Sequence, residues 1–293
     1  MDKRSLKISA MSQVLNIYDH DRDSAGLTYV YPVISRRAGG VSVGINLNTH
    51  NACNWHCIYC QVPDLKRGGA PEVDLEKLAG ELRGFLRELL QGDFMQRRVP
   101  PEARRLNDIA LSGNGEPTSA REFVQVVDLI GEIMAEFDLI GKIKLVLITN
   151  GSLIQRSKVK EGLRKMASLG GEVWFKLDSA TANGMRRINS TCQTVEKMHD
   201  NLRTAALLCP TWLQTCVFAY DGQPPAEAER DAYLSFIGRL RAEEVPLQGV
   251  LLYGLARPSM QPEAVRLSAL PQEWMLTFAA EIEAQGVAVK LNC

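Results

Sequence analysis

The chain has 293 residues, and its 34 basic and 34 acidic side chains leave a formal net charge of zero. That balance excludes a long-range field that would gather nucleic acid or anionic lipid, and no run of 18 or more apolar residues offers a membrane span. The length suits one large core, and a single α/β barrel is routinely this size.

The N-terminal stretch "MDKRSLKISAMSQVLNIYDHDRDS" is basic in places but lacks the continuous apolar segment of a secretory signal, so a cytoplasmic protein is expected. Residues 1–40 fall outside the rhythm of the rest and read as an N-terminal extension wrapping one end of a core at 41–293. From there, short β-branched runs alternate with amphipathic helical patterns. Strands are predicted at residues 43–48, 108–112, 144–149, 172–178, 212–218 and 249–255, with a seventh at 287–291. Several are apolar on both parities, as strands covered on both faces are. Helical stripes run through Leu75, Leu78, Leu82, Phe85, Leu86 and Leu89, and through Phe123, Val126, Val127, Ile130, Ile133, Met134 and Phe137. Ser119 with Glu122 and Ser152 with Gln155 have capping-box spacing. Further helices are expected at about 156–168, 194–208, 227–243 and 271–285, the last with Pro271 in its first turn. The pattern predicts an α/β fold: a partial (β/α)6 TIM-like barrel with a parallel sheet, open on one side.

In such folds the working residues gather on loops at the carboxyl ends of the strands. Three unusual segments sit there: "THNACNWHCIYCQVPD" after the first strand, "SGNGEPTS" after the second and "TNGS" after the third. The first places Cys53, Cys57 and Cys60 in the spacing C-x3-C-x2-C. Clustered thiols in a reducing compartment point to metal ligands or catalysts rather than disulfides. Three thiolates suit an iron-sulfur cubane with one open iron, and His50 or His56 could instead complete a Cys3His zinc site. Cys192, Cys209, Cys216 and Cys293 are scattered singly and read as small buried hydrophobes. His199 reads as a helix-surface residue, His20 has no partner pattern, and Trp174 and Trp212 read as core.

The cysteine spacing with Tyr59 before its last cysteine, followed by "GNGEP", resembles the radical S-adenosylmethionine (radical SAM) superfamily. The stretches "PVISRRAGGVSVGINLNTHNACNWHCIYCQ", "SGNGEPT", "ITNGSL" and "YGLARP" are similar to its wyosine-synthase-like branch. The resemblance implies a 4Fe-4S cluster on Cys53, Cys57 and Cys60, with its open iron chelated by SAM. Reductive cleavage of SAM would give a 5'-deoxyadenosyl radical that takes hydrogen from a substrate. It implies SAM contacts from Tyr59 near the adenine, from Gly113, Asn114, Gly115, Glu116 and Pro117, from Thr149 and Asn150, from Lys176 and Asp178, and from Arg257. Gly113 and Gly115 would let the backbone approach the ligand, and Glu116 would accept from the SAM ammonium. Asn114 stands where the family commonly has a second glycine. Arg36 and Arg37 are further anion-binding candidates, and "RRINST" departs from the family's Asn-Arg-Pro.

The expected activity is hydrogen abstraction from a small molecule or peptide, with an external flavodoxin- or ferredoxin-type electron donor. Wyosine-type tRNA modification is the less favoured alternative. No cysteine precedes Cys53 for a second cluster, no flavodoxin-like segment is present, and the balanced charge lacks the basic footprint of an RNA binder. A zinc-stabilised binding protein is the third reading.

Overall fold

The structure, a computed structural model, describes residues 14–15, 25–35 and 39–292. Arg36, Arg37, His20 and Cys293 therefore lie outside the described residues. In chain order the main elements are β1 (Val30–Ser35), β2 (Gly40–Ile45), α1 (Leu75–Leu90), β3 (Leu106–Leu111), α2 (Phe123–Glu136), β4 (Lys144–Thr149), α3 (Ser157–Ser168), β5 (Glu172–Lys176), α4 (Ala182–Asn189), α5 (Val195–Leu208), β6 (Thr211–Val217), α6 (Glu227–Ala242), β7 (Leu247–Gly254), α7 (Gln272–Glu283) and β8 (Val289–Asn292).

These strands form one eight-stranded sheet in the order β1 to β8. The β1–β2 pairing is antiparallel, and every later pairing is parallel. Six parallel strands each lead into helix before the next, giving the partial (β/α)6 barrel, with β8 as a seventh parallel strand. β1, at residues the repeating pattern leaves out, adds an antiparallel edge and carries Pro32, which an edge strand tolerates.

Strand parity divides the molecule. Ile109, Leu111, Leu145, Leu147, Val173 and Phe175 point outward into the main core beneath the helices. Their alternates Ala110, Val146 and Trp174, with Leu251, form a separate small cluster, joined by Ile148 and Trp212, inside the curl of the sheet. Trp174 and Trp212 are thus packed, but in the lumen layer. The helices are amphipathic on one face: α1 buries Leu78, Leu82, Phe85, Leu86 and Leu89, each worth about 1.5–3 kcal/mol. Asp74 caps it, accepting from the Lys77 N–H at 2.9 Å.

Some local expectations fail for identifiable reasons. The first strand is Gly40–Ile45, not 43–48, because Asn46 and Asn48 turn away to serve the following loop. Neither capping box forms: α2 and α3 begin at Phe123 and Ser157 with no side-chain cap, since both serine hydroxyls are committed elsewhere. Pro271 stands just before α7, at its cap. His199 is buried, its ring edge-on to Phe236 at 5.7 Å and its Nε2 3.3 Å from Glu243. Cys192 is exposed, unlike buried Cys209 and Cys216. The short α4 was not anticipated.

Candidate active site

At the carboxyl end of the parallel strands, a cavity of about 310 Å³ is lined by Cys53, Cys57, Cys60, Tyr59, Gly113, Asn114, Gly115, Glu116, Asn150, Lys176 and Arg257. Thr149, Pro117 and Asp178 do not line it. Eleven of the fourteen site residues expected from sequence are thus brought to one wall-and-floor arrangement, and the other three stand behind it.

The cysteine loop leaves β2 and has little regular structure of its own, so its neighbours hold it. Asn46 Oδ1 accepts from the backbone N–H of Asn48 at 3.1 Å and of Asn114 at 3.0 Å, and Asn48 Nδ2 donates to the Ala52 carbonyl at 2.9 Å. Asn114 Nδ2 donates to Asn51 Oδ1 at 2.6 Å. On the far side, Ser259 Oγ donates to the Ile58 carbonyl at 2.7 Å, and Gln261 Nε2 to those of Cys60 and Val62 at 3.2 and 2.8 Å. Trp55, Ile58 and Val62 anchor the loop in apolar surroundings.

The glycines of "GNGEP" serve a packing purpose that the motif alone does not reveal. Gly113 has φ +143°, and a Cβ there would lie 2.4 Å from Asn46 Oδ1; at Gly115 it would lie 2.1 Å from the Ala52 carbonyl oxygen. Their bare backbone admits the cysteine loop, and both glycines also border the cavity. Glu116 is 2% exposed. Its Oε1 accepts from Thr118 N–H at 3.1 Å, Thr118 Oγ1 at 2.6 Å and Thr149 Oγ1 at 2.7 Å, and its Oε2 accepts from Asn150 N–H at 2.7 Å. Burial pushes its pKa up against the pull of those donors. Glu116 therefore ties the loop after β3 to the loop after β4, while Thr149 acts on it from behind. Asn150 Nδ2 donates to Asn54 Oδ1 at 2.8 Å, and Asn54 Nδ2 to Ser152 Oγ at 2.7 Å, joining the same corner to the cysteine loop. Ser119 Oγ donates to the Glu116 carbonyl and accepts from Ala70 N–H, which is why it caps no helix.

On the opposite wall the Lys176 ammonium lies 5.0 Å from the Tyr59 ring centroid and 3.2 Å from Tyr253 Oη. Burial pulls its pKa down, but Asp178, with Tyr253, Cys57 and Cys216, outweighs that and holds it above the ordinary value. Asp178 does not share the cavity face of Lys176: it accepts from Tyr59 Oη at 2.5 Å, Asn189 Nδ2 at 2.7 Å and Cys216 N–H at 3.0 Å. Its carboxylate thereby fixes the Tyr59 ring, which packs 5.6 Å from Phe218. Arg257 Nη1 donates to Gln61 Oε1 at 2.9 Å, at the end of the cysteine loop.

The thiols are free and half-buried. Burial pushes Cys53 up to about 11 and Cys57 up to about 12, the latter opposed by Lys176. Such thiols ionise only with compensating positive charge, which bound iron provides. Among the described residues, no three His, Cys, Asp or Glu side chains converge where one metal ion could sit, as a tetrahedral Cys3His zinc site requires; a cubane places each thiolate on a different iron and makes no such demand. His50 is exposed and His56 half-buried, and neither lines the cavity. Three soft donors bordering a cavity with an ammonium and several amide groups fit a 4Fe-4S cluster and a zwitterionic cofactor such as SAM. Asn46, Asn48, Asn54 and Asn189 are the site residues that motif reading missed; the density of asparagine in "INLNTHNACN" was the available signal.

Among curated proteins, the UPF0026 protein of Synechocystis sp. is 28% identical over 168 residues, covering 57% of this chain and 54% of its own. The UPF0026 protein of Methanocaldococcus jannaschii is 29% identical over 163 residues, covering 54% and 42%. The chain spans about half the length of these relatives. Among solved structures, a radical SAM methyltransferase from Sphaerobacter thermophilus superposes with a TM-score of 0.60 at 12% identity, over 90% of this chain and 68% of that one. A spore photoproduct lyase with bound AdoMet gives 0.50 at 12% identity, over 84% and 75%. Both share the partial barrel. The sequence model of the Radical SAM superfamily matches residues 47–230, from the cysteine loop through β6 and into α6; the chain belongs to the radical SAM superfamily, with a 4Fe-4S cluster and SAM as its cofactors.

Proposed function

We propose that this enzyme cleaves SAM reductively and uses the resulting 5'-deoxyadenosyl radical to take hydrogen from a small molecule or peptide. The observation that carries the reading is the shared cavity: three thiols, the loops after β3 and β4 and the Lys176 ammonium all border it. When bound, the cluster supplies the electron and SAM the radical; the chain's own residues place and shield them. Lys176 and Arg257 offer cationic groups to a carboxylate, Asn114 and Asn150 offer amides to polar groups, and Tyr59 and Tyr253 offer ring faces to the adenine. Trp174 with its small apolar cluster closes the floor and keeps water from the reacting centre. A substrate would reach SAM through the open side of this cavity.

The balanced charge favours a small or peptide substrate over nucleic acid, and an external flavodoxin- or ferredoxin-type donor in the cytoplasm is part of the same proposal. No helix among the described residues is long and apolar enough to cross a membrane. The wyosine-synthase-like branch is the finer placement suggested by the motif stretches. The test is anaerobic reconstitution with iron and sulfide, followed by SAM and dithionite. 5'-Deoxyadenosine is expected from the wild type and not from Cys57→Ala; undiminished cleavage by that variant would overturn the ligand set. A gel shift with bulk tRNA across a salt series tests the branch: binding that persists at moderate salt would move the substrate to RNA.

A further inference from the structure

We propose that Asn189 is a positioning residue that sets the reduction potential of the cluster through an N–H···S hydrogen bond to Cys57. The inference rests on the cluster lying on Cys53, Cys57 and Cys60. Asn189 ends α4, is 1% exposed and reaches Cys57 Sγ with Nδ2 at 3.3 Å. The other hydrogen of that amide goes to Asp178 Oδ2 at 2.7 Å. This pairing fixes the orientation of the amide. Rotating it would turn its oxygen onto a carboxylate and a sulfur, both of which are acceptors, so only the N–H₂ face fits there.

The backbone holds the bond in register. The Asn189 carbonyl accepts from His56 N–H at 3.1 Å, and the Ile188 carbonyl accepts from Ile58 N–H at 2.9 Å. The two residues flanking Cys57 are thus both pinned to the end of α4. Ser190 ends the helix in a left-handed conformation (φ 50°, ψ 41°), and Arg67 donates to its carbonyl from the strand beside Cys53. Asp178 in turn is held by Tyr59 and the Cys216 N–H. Asn189 therefore stands between a fixed carboxylate and a cluster ligand. Among the described residues Cys57 is the thiol that receives a side-chain amide, whereas Cys53 receives the Trp55 backbone N–H at 3.5 Å.

Reduction adds negative charge to a cluster and its sulfurs. A donor aimed at sulfur stabilises that charge and raises the potential, and a nearby carboxylate lowers it. Asn189 and Asp178 act in opposite senses on the same ligand. Asn189→Leu keeps the volume and removes the donor. Asp178→Asn removes the charge and keeps one oxygen for Tyr59 and Asn189, leaving the Cys216 N–H to face the new amide nitrogen.

The experiment is an EPR-monitored redox titration of reconstituted, SAM-free protein, with iron and sulfide counted. Asn189→Leu is expected to lower the reduced-to-oxidised ratio at fixed potential by roughly tenfold, a shift of about 59 mV for one electron. Asp178→Asn is expected to shift the midpoint the other way. An unchanged midpoint in a fully loaded Asn189→Leu protein, or shifts of the same sign in both variants, would overturn the proposal. Should Asn189→Leu fail to fold, HYSCORE on wild-type protein labelled with ¹⁵N-asparagine reads the bond directly: a ¹⁵N coupling to the reduced cluster is expected, and its absence would refute the assignment. A wild-type protein that binds no 4Fe-4S cluster would instead bring down the cluster assignment itself, a distinguishable failure.

Discussion

Glu116 borders the cavity, yet its carboxylate is held by protein donors, and this changes what a substitution there does. An amide in its place offers one acceptor oxygen where the carboxylate has two, and four donors now converge on it. Glu116→Gln is expected to cost about 1–3 kcal/mol of unfolding free energy, the price of a stranded buried donor, read from urea midpoints at matched iron content. Cysteine chemistry gives a second test at this scale. Burial pushes the Cys209 thiol up to about 12 from 9.0, so its stabilising contribution is complete below pH 9 and is lost as pH rises toward 12. At pH 8 it is almost wholly thiol and therefore unreactive. Iodoacetamide at pH 8 is expected to label exposed Cys192 and spare Cys209 until urea is added, as mass spectrometry would show. Equal labelling in the native protein would contradict the burial. The sequence offered no way to separate these two, because each is a lone cysteine without a periodic neighbour to reveal its environment.

At the scale of elements, the strands and helices were legible because parity and helical stripes are properties of short windows. What escaped was whatever the site took for itself. Ser119 and Ser152 have the spacing of helix caps, but their hydroxyls serve Ala70, Glu116 and Asn54. α4 was hidden because "ANGMRRIN" carries only a turn or two of pattern, and its purpose lies at its end, in the Ile188 and Asn189 contacts. The glycines are legible as points of close approach, but their contact with Asn46 and Ala52 is not. Gly115→Ala puts a methyl 2.1 Å from the Ala52 oxygen, forcing the loop after β3 off the cysteine loop. A loss of about 1–3 kcal/mol together with reduced iron per chain is expected. Gly80→Ala, on the exposed face of α1 with nothing within 4 Å of the new methyl, should do the reverse and add about 0.5–1 kcal/mol. A Gly115→Ala protein with wild-type midpoint and iron content would separate the glycine from the cradle.

Across the whole molecule, the half-barrel itself followed from the alternation of strand and helix, while its lumen did not. Which parity faces inward depends on the curl of the sheet, so Trp174 reads as ordinary core although it lines the cavity with Ala110 and Ile148 and packs on Val146 and Leu251. Trp174→Ala is expected to cost about 3–5 kcal/mol and to deepen the cavity, measurable by chemical denaturation and by tighter binding of a small apolar probe. A further consequence belongs to the history of a single enzyme molecule. The cysteine loop is gripped from residues near 46–48, 112–119, 149–152, 188–190 and 257–261, that is, from the ends of β2, β3, β4 and β7 and of α4, so the fold contributes much of what shapes it. Loss of the iron to oxygen is therefore expected to leave the scaffold standing, so that repair would be ligand exchange at a prepared seat, the reverse of a zinc finger that must refold around each new ion.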